Sequence, residues 1–285
     1  MAGFRLGMST YSYVYRMTAL EACLHLARFG YREFELVLMP PHIWPPEMSK
    51  RQRREFSRRL ADEGLRITSF CYPTLDNNFT SPNKHVRRQT VDEYRAMLEV
   101  AAEWNVPFMS LLPGRVLSFF PPPRDWMMKW MVDAAAELAP VAHRLGVGLA
   151  MENVPFTFLP KVRDVLGALD RIGDPKIGML FDVANALYAG DDPVEGLRVV
   201  GDRLALVHLS DTTRTVFRHD PIGKGAVDFR GVARTLRDIG FDGASMFELV
   251  ISDADKHLAQ SNARLARAGW EQLAVPKRRG RRTSR

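Results

Sequence analysis

A chain of 285 residues, 46% hydrophobic and 26% charged, has the composition of a globular protein and the length of one α/β barrel, which needs roughly 250 residues. It contains no run of about 18 apolar residues, and MAGFRLGMST at the start has no charged segment leading into a signal-length apolar stretch. Both points argue against a membrane span or a secretory leader and make the cytoplasm the expected compartment. The net charge of +7 invites a nucleic-acid reading, but six of the 40 Lys and Arg lie in residues 277–285, KRRGRRTSR, and the other 34 stand against 33 Asp and Glu. The body is therefore nearly neutral, and a nucleic-acid partner is not expected.

Apolar runs of strand length alternate with helical patterns from end to end, as in a parallel α/β fold. Strand one is read at 5–9, followed by the tyrosine-rich TYSYVYR and a helix at 19–29 that stops at Gly30. Strand two, 31–37, carries Glu35 and opens into the stiff loop MPPHIWPPEM with His42 and Trp44. Ser49 with Gln52 makes a capping-box pattern that starts helix two, which runs to Glu63 and Gly64. Strand three is 66–71, then comes the long loop YPTLDNNFT, and Ser81 with Pro82 starts a helix that ends near Trp104. Strand four is 107–112, and a helix covers about 122–145. Shorter units follow: a strand to Glu152, helix 162–172, a strand to Asp182, helix 192–200, a strand to His208, helix 229–239, a strand to Glu248, and a last helix at 253–269.

Eight such units close most simply as a single (β/α)8 TIM barrel over residues 1–272, with 273–285 as a basic, disordered tail. An open doubly wound sheet competes, but the Gly-rich phosphate fingerprint it would carry after its first strand is absent. Gly223-Lys224-Gly225 reads as a turn into the next helix rather than a phosphate cradle. Two cysteines, Cys23 and Cys71, are too few for a disulfide framework.

The chemistry is read from strand ends. GLAM ends on Glu152, IGMLF on Asp182, LALV on His208 and ASMF on Glu248, so four strands in succession each deliver one ionisable group. In a parallel barrel these ends share one face. Apolar strands do not carry such groups unless they have partners there, and the partner expected is a divalent metal. Hard oxygen ligands with one imidazole suit Mn²⁺, Mg²⁺, Co²⁺ or Zn²⁺; Mn²⁺ is the first expectation, although the ligand set alone does not choose.

AMENVP around Glu152, LFDVANA around Asp182, LVHLSDTTR around His208, RHDPIGKGAVDF at 218–229 and MFELV around Glu248 make the chain resemble the xylose-isomerase-like TIM-barrel superfamily. That group contains sugar isomerases, ketose 3-epimerases, inosose and 3-dehydroshikimate dehydratases and endonuclease IV-type enzymes. The resemblance implies that Glu152, Asp182, His208 and Glu248 bind one divalent ion, that Glu152 and Glu248 act as acid and base, and that Arg214 meets substrate. Two departures narrow it. Phe158 and Asn185 stand where ketose 3-epimerases have a second glutamate and a histidine. Cys71 or Tyr72, Leu112 and Phe217 stand where the nuclease would need zinc ligands, with only His219 kept, which argues against phosphodiester cleavage.

The expected activity is a metal-dependent isomerisation or epimerisation of a keto-sugar or related polyol through an enediolate, with dehydration of a cyclic keto-polyol as the alternative and a non-catalytic scaffold behind both. Substrate contacts are expected from Arg214, His219, Asn185, Tyr11, Tyr72, Phe158 and Phe217. Tyr13, Trp44 and Phe156 are further candidates for an apolar wall, and Asp211 for loop support. A homo-oligomer is left open, as is the phosphorylation state of the substrate.

Overall fold

Eight short parallel strands close on themselves in sequence order in the computed structural model, which describes residues 3–73, 77–116 and 119–275. They are β1 Leu6–Ser9, β2 Glu33–Val37, β3 Arg66–Cys71, β4 Phe108–Leu111, β5 Gly148–Glu152, β6 Ile177–Asp182, β7 Leu204–Leu209 and β8 Ser245–Phe247. The seam between β8 and β1 pairs Leu6 with Ser245, Gly7 with Met246 and Met8 with Phe247. Nearly every strand residue is buried, because helices cover the outside and side chains fill the inside. That is why the strands read as apolar runs instead of alternating patterns.

The outer layer is α1 Ala19–Ala27, α2 Lys50–Asp62, α3 Lys84–Glu103, α4 Arg124–Leu145, α5 Val162–Ile172, α6 Val183–Tyr188, α7 Pro193–Val200, α8 Phe229–Asp238 and α9 Asp255–Ala268. Local chemistry sets most of their ends. The Ser49 hydroxyl accepts from the Gln52 N–H at 3.3 Å while the Gln52 side chain accepts from the Ser49 N–H at 2.9 Å, the expected capping box. Asp192 accepts from the N–H groups of Val194 and Glu195 ahead of a helix that begins on Pro193. Gly146 ends α4 at φ 71°, a left-handed turn that costs glycine nothing.

Most element ends lie within a residue or two of the sequence reading, one helix start is moved by its cap, and one helix is additional. The helix expected at Ser81-Pro82 starts at Lys84, because the Asn83 side chain, accepting from the His85 N–H at 2.9 Å, supplies the cap. Helix α6 was not foreseen: VANALY is buried at every position but the last, so it has no polar face to betray a helical period.

The chain after α9 stays attached to the barrel. The Glu271 carboxylate accepts from the Leu6 N–H at 2.8 Å, and Leu273 packs on the core. The basic segment expected to be disordered lies, from residue 276 on, outside the described residues. Among the described residues no helix is long and apolar enough to cross a membrane.

Candidate metal centre and active site

Strand register delivers the ionisable groups to one place. Asp182, the last residue of β6, pairs with His208 of β7, and Glu152 ends β5 opposite Leu180. Glu248 follows β8 directly, its N–H donating to the Leu209 carbonyl at 2.9 Å.

The His208 ring stands in the middle of the set. Its Nδ1 lies 3.6 Å from Glu152 Oε1, 3.8 Å from Asp182 Oδ2 and 3.6 Å from Glu248 Oε2. All four residues are buried, and neither His208 Nδ1 nor Asp182 Oδ2 has a hydrogen-bond partner. An unpaired polar atom in such surroundings costs about 1–3 kcal/mol, more when it is charged. A cation that takes a lone pair from each donor removes that cost, so the residues present fit a divalent ion. Donor atoms of Glu152, Asp182 and His208 all fall within 4.8 Å of one another.

The other edge of the ring explains why Nδ1 is free to act as a ligand. His208 Nε2 is 3.0 Å from Oε2 of Glu35, which also accepts from the Ser69 hydroxyl at 2.9 Å. A carboxylate there accepts a hydrogen bond from Nε2–H and turns Nδ1 towards the cluster, where it can serve a cation once its own proton is displaced. Glu35 lies inside β2 with no exposed surface. The sequence marks it as an acid near the end of a strand and a candidate pocket residue, and the signal for more is a pair of acids, Glu33 and Glu35, spaced by two in a strand that is otherwise apolar.

His219, expected to meet substrate, lines the cavity and also lies against the carboxylate cluster. Its Nδ1 is 3.0 Å from Glu248 Oε2, 3.0 Å from the Ser210 hydroxyl and 3.8 Å from Asp182 Oδ2. Asp182 is braced from its own backbone: Asn153 donates to the Asp182 carbonyl at 3.0 Å and accepts from its N–H at 2.9 Å. Asp182 Oδ1 caps α6 by accepting from the Asn185 N–H at 2.6 Å, and the Asn185 amide reaches Glu152 Oε1 at 3.3 Å. The additional helix thus carries Asn185 to the glutamate expected from sequence to be catalytic, and Asn153, within AMENVP, had no role assigned from sequence.

Burial and mutual charge drive the protonation states apart. Burial lifts the Glu152 carboxyl to about 7, against the pull of His208, and burial also raises Asp182. Burial works against ionised Glu248 too, but the imidazoles of His208 and His219 outweigh it and hold that carboxyl well below its ordinary range. For the histidines burial opposes the charged form, yet Glu35 and Glu248 push His208 well up, and Glu248 with Asp182 pushes His219 to about 9.

A cavity of about 200 Å³ opens onto this floor, lined among others by Tyr11, Leu112, Val154, Phe156, Asn185 and Phe217. Of the residues expected to contact substrate, Tyr11, Asn185, His219 and Phe217 line this cavity, as does Phe156. Others of the expected set do not line it. Tyr72 donates to Glu93 at 2.6 Å and packs on Trp44; Phe158 is buried in the core; Tyr13 donates to Asp255 at 2.6 Å. Arg214 is exposed on the loop after β7. A long polar side chain on a loop and an aromatic ring in a core give no sequence signal of which way they face. In the same loop Asp211 accepts from the N–H groups of Thr212, Gly223 and Val227. Gly225 lies so close to Thr212 that an added Cβ would meet its carbonyl oxygen at 2.1 Å, so this glycine pair makes a turn.

Residues 23–269 match the family model described as xylose isomerase-like TIM barrel. L-ribulose-5-phosphate 3-epimerase UlaE of Salmonella paratyphi A is 26% identical over 238 residues, 80% of this chain and 82% of that protein. The crystal structure of a D-tagatose 3-epimerase-like protein superposes with a TM-score of 0.81 at 20% identity, covering 93% of this chain and 97% of the other. An IolI protein with a bound zinc atom gives 0.77 at 16% identity, with 93% and 96% covered.

Proposed function

Because the chain belongs to the xylose isomerase-like TIM-barrel family, we propose that it is a divalent-metal-dependent sugar epimerase or isomerase that moves a proton next to a ketose carbonyl. The chain is an enzyme of the isomerase class, as its epimerase relatives indicate. The observation that carries the metal-dependent mechanism is the meeting of Glu152, Asp182, His208 and Glu248 around the two unpartnered atoms His208 Nδ1 and Asp182 Oδ2.

Those four side chains would hold the ion, which when bound supplies Lewis-acid stabilisation of the oxyanion that develops as the α-proton leaves. Glu248, kept ionised by its histidines, accepts the proton. Glu152, the other glutamate of the cluster, is the group that returns a proton. The roles exchange in the reverse direction. Asn185 holds the Glu152 carboxyl in place, and the apolar walls keep bulk water away from the carbanion-like centre.

The test is turnover of free ketoses by Mn²⁺-loaded protein in D₂O, followed by NMR. One deuterium incorporated next to the carbonyl with inversion at that carbon supports the reading. Loss of water from the substrate would replace it with dehydration, and absence of both exchange and turnover would remove it.

A further inference from the structure

We infer that the substrate is an uncharged keto-sugar whose end away from the reacting carbonyl is apolar, a deoxy or O-alkyl terminus, and not a phosphate ester. This rests on the reading of the site as a keto-sugar epimerase or isomerase and goes on to name the substrate class.

The walls of the cavity carry the inference. Leu112, Val154 and Val250 are aliphatic, and Phe156 and Phe217 are aromatic. The Phe156 and Phe217 rings meet edge to face at 5.1 Å, Tyr188 packs 5.1 Å from Phe217, and the Phe217 ring lies 5.2 Å from the His219 ring. The aromatic column thus runs from Phe156, which is 59% exposed, down to the ligand cluster. A substrate gripped at the floor by its carbonyl end has this column as one wall of its path towards solvent.

A phosphate would meet the wrong chemistry there. It carries about −2 charges at pH 7, and burying it against apolar walls is costly without paired cations. The floor offers it no free cation: its imidazoles, His208 and His219, already face the carboxylates of Glu152, Asp182 and Glu248. Among the described residues no lysine or arginine lines the cavity. Of the arginines on neighbouring loops, Arg214 is exposed after β7 and does not line the cavity, and two others are engaged elsewhere. Arg124 donates to the Phe158 carbonyl and to Asp164, and Arg264 donates to the Ile222 carbonyl. A methyl or alkyl group, by contrast, gains by leaving water at these walls.

The experiment compares kcat/KM of the full chain loaded with Mn²⁺ on L-ribulose, L-ribulose 5-phosphate and the deoxy ketose L-rhamnulose, with binding of all three to the Mg²⁺-loaded protein measured by ligand-observed NMR. The expected order places the deoxy sugar about tenfold or more above the free pentulose and the phosphate ester last. Phe217→Ala should shrink the advantage of the deoxy sugar without improving the ester. Preference for the phosphate ester, in turnover or in binding, overturns the inference while leaving the reaction class standing. So does equal use of L-ribulose and L-rhamnulose. If none of the three is turned over, the binding order still decides the inference and only the reaction fails. If none binds, both fall.

Discussion

Glu35 Oε2 and His208 Nε2 stand 3.0 Å apart across the inside of the barrel, with neither side chain more than 1% exposed. The pair joins β2 to β7, and it sets which imidazole nitrogen faces the carboxylates. Glu35→Ala should therefore weaken Mn²⁺ binding by about 10- to 100-fold, measured by calorimetry on protein whose circular dichroism is unchanged. Glu35→Gln keeps a carbonyl acceptor for the Nε2 proton and should lose less. Equal affinity in wild type and Glu35→Ala would mean that His208 is oriented by its other neighbours.

Glu152 and Glu248 lie on the same cluster but in opposite protonation environments. Glu152→Gln and Glu248→Gln should each lower kcat by about 10²- to 10⁴-fold, with thermal midpoints close to wild type because the amide fills the same space. Solvent-deuterium exchange in each variant separates the two steps: the variant that still exchanges has lost only proton return from the other face.

Metal binding needs ionised carboxylates and neutral imidazoles. Burial lifts Glu152 to about 7 and its carboxylate neighbours lift His219 to about 9, so on the acid side of that window Glu152 holds a proton that a cation must displace and His219 a positive charge that repels it. Mn²⁺ affinity should rise as pH goes up through about 7 and on towards about 9, and binding near pH 7 should release protons. Calorimetry in two buffers of different ionisation enthalpy reads the release directly. A flat affinity across the window would show that neither group is protonated in the metal-free protein.

Asn153 is fully buried and makes both of its side-chain bonds to the Asp182 backbone. Asn153→Ala leaves a buried N–H and a carbonyl unpaired, a loss of about 1–3 kcal/mol for each group left without a partner. Urea unfolding of the metal-free protein should show a lower midpoint, and Mn²⁺ binding should weaken because Asp182 loses its brace. Asn153→Asp retains the acceptor but not the donor and should fall between the two.

The sequence by itself determined the barrel and the four ionisable groups at its strand ends. Strands buried on both faces must read as apolar runs, and in a parallel barrel their C-terminal ends must share one face, so Glu152, Asp182, His208 and Glu248 could be assigned to a common site before any coordinates. Contacts between elements distant in the chain had no such local mark. Glu35 lies 173 positions from His208, and only barrel closure makes them partners. Asn153 looks like any loop residue until Asp182 of the next strand is placed beside it. Tyr72 and Phe158 carry the same side-chain chemistry as Tyr11 and Phe217, yet the first two pack away from the cavity and the latter two line it. Composition and periodicity record which residues must be buried; which buried or loop residues face the site depends on loop path and rotamer, and those are decided by packing in the folded chain.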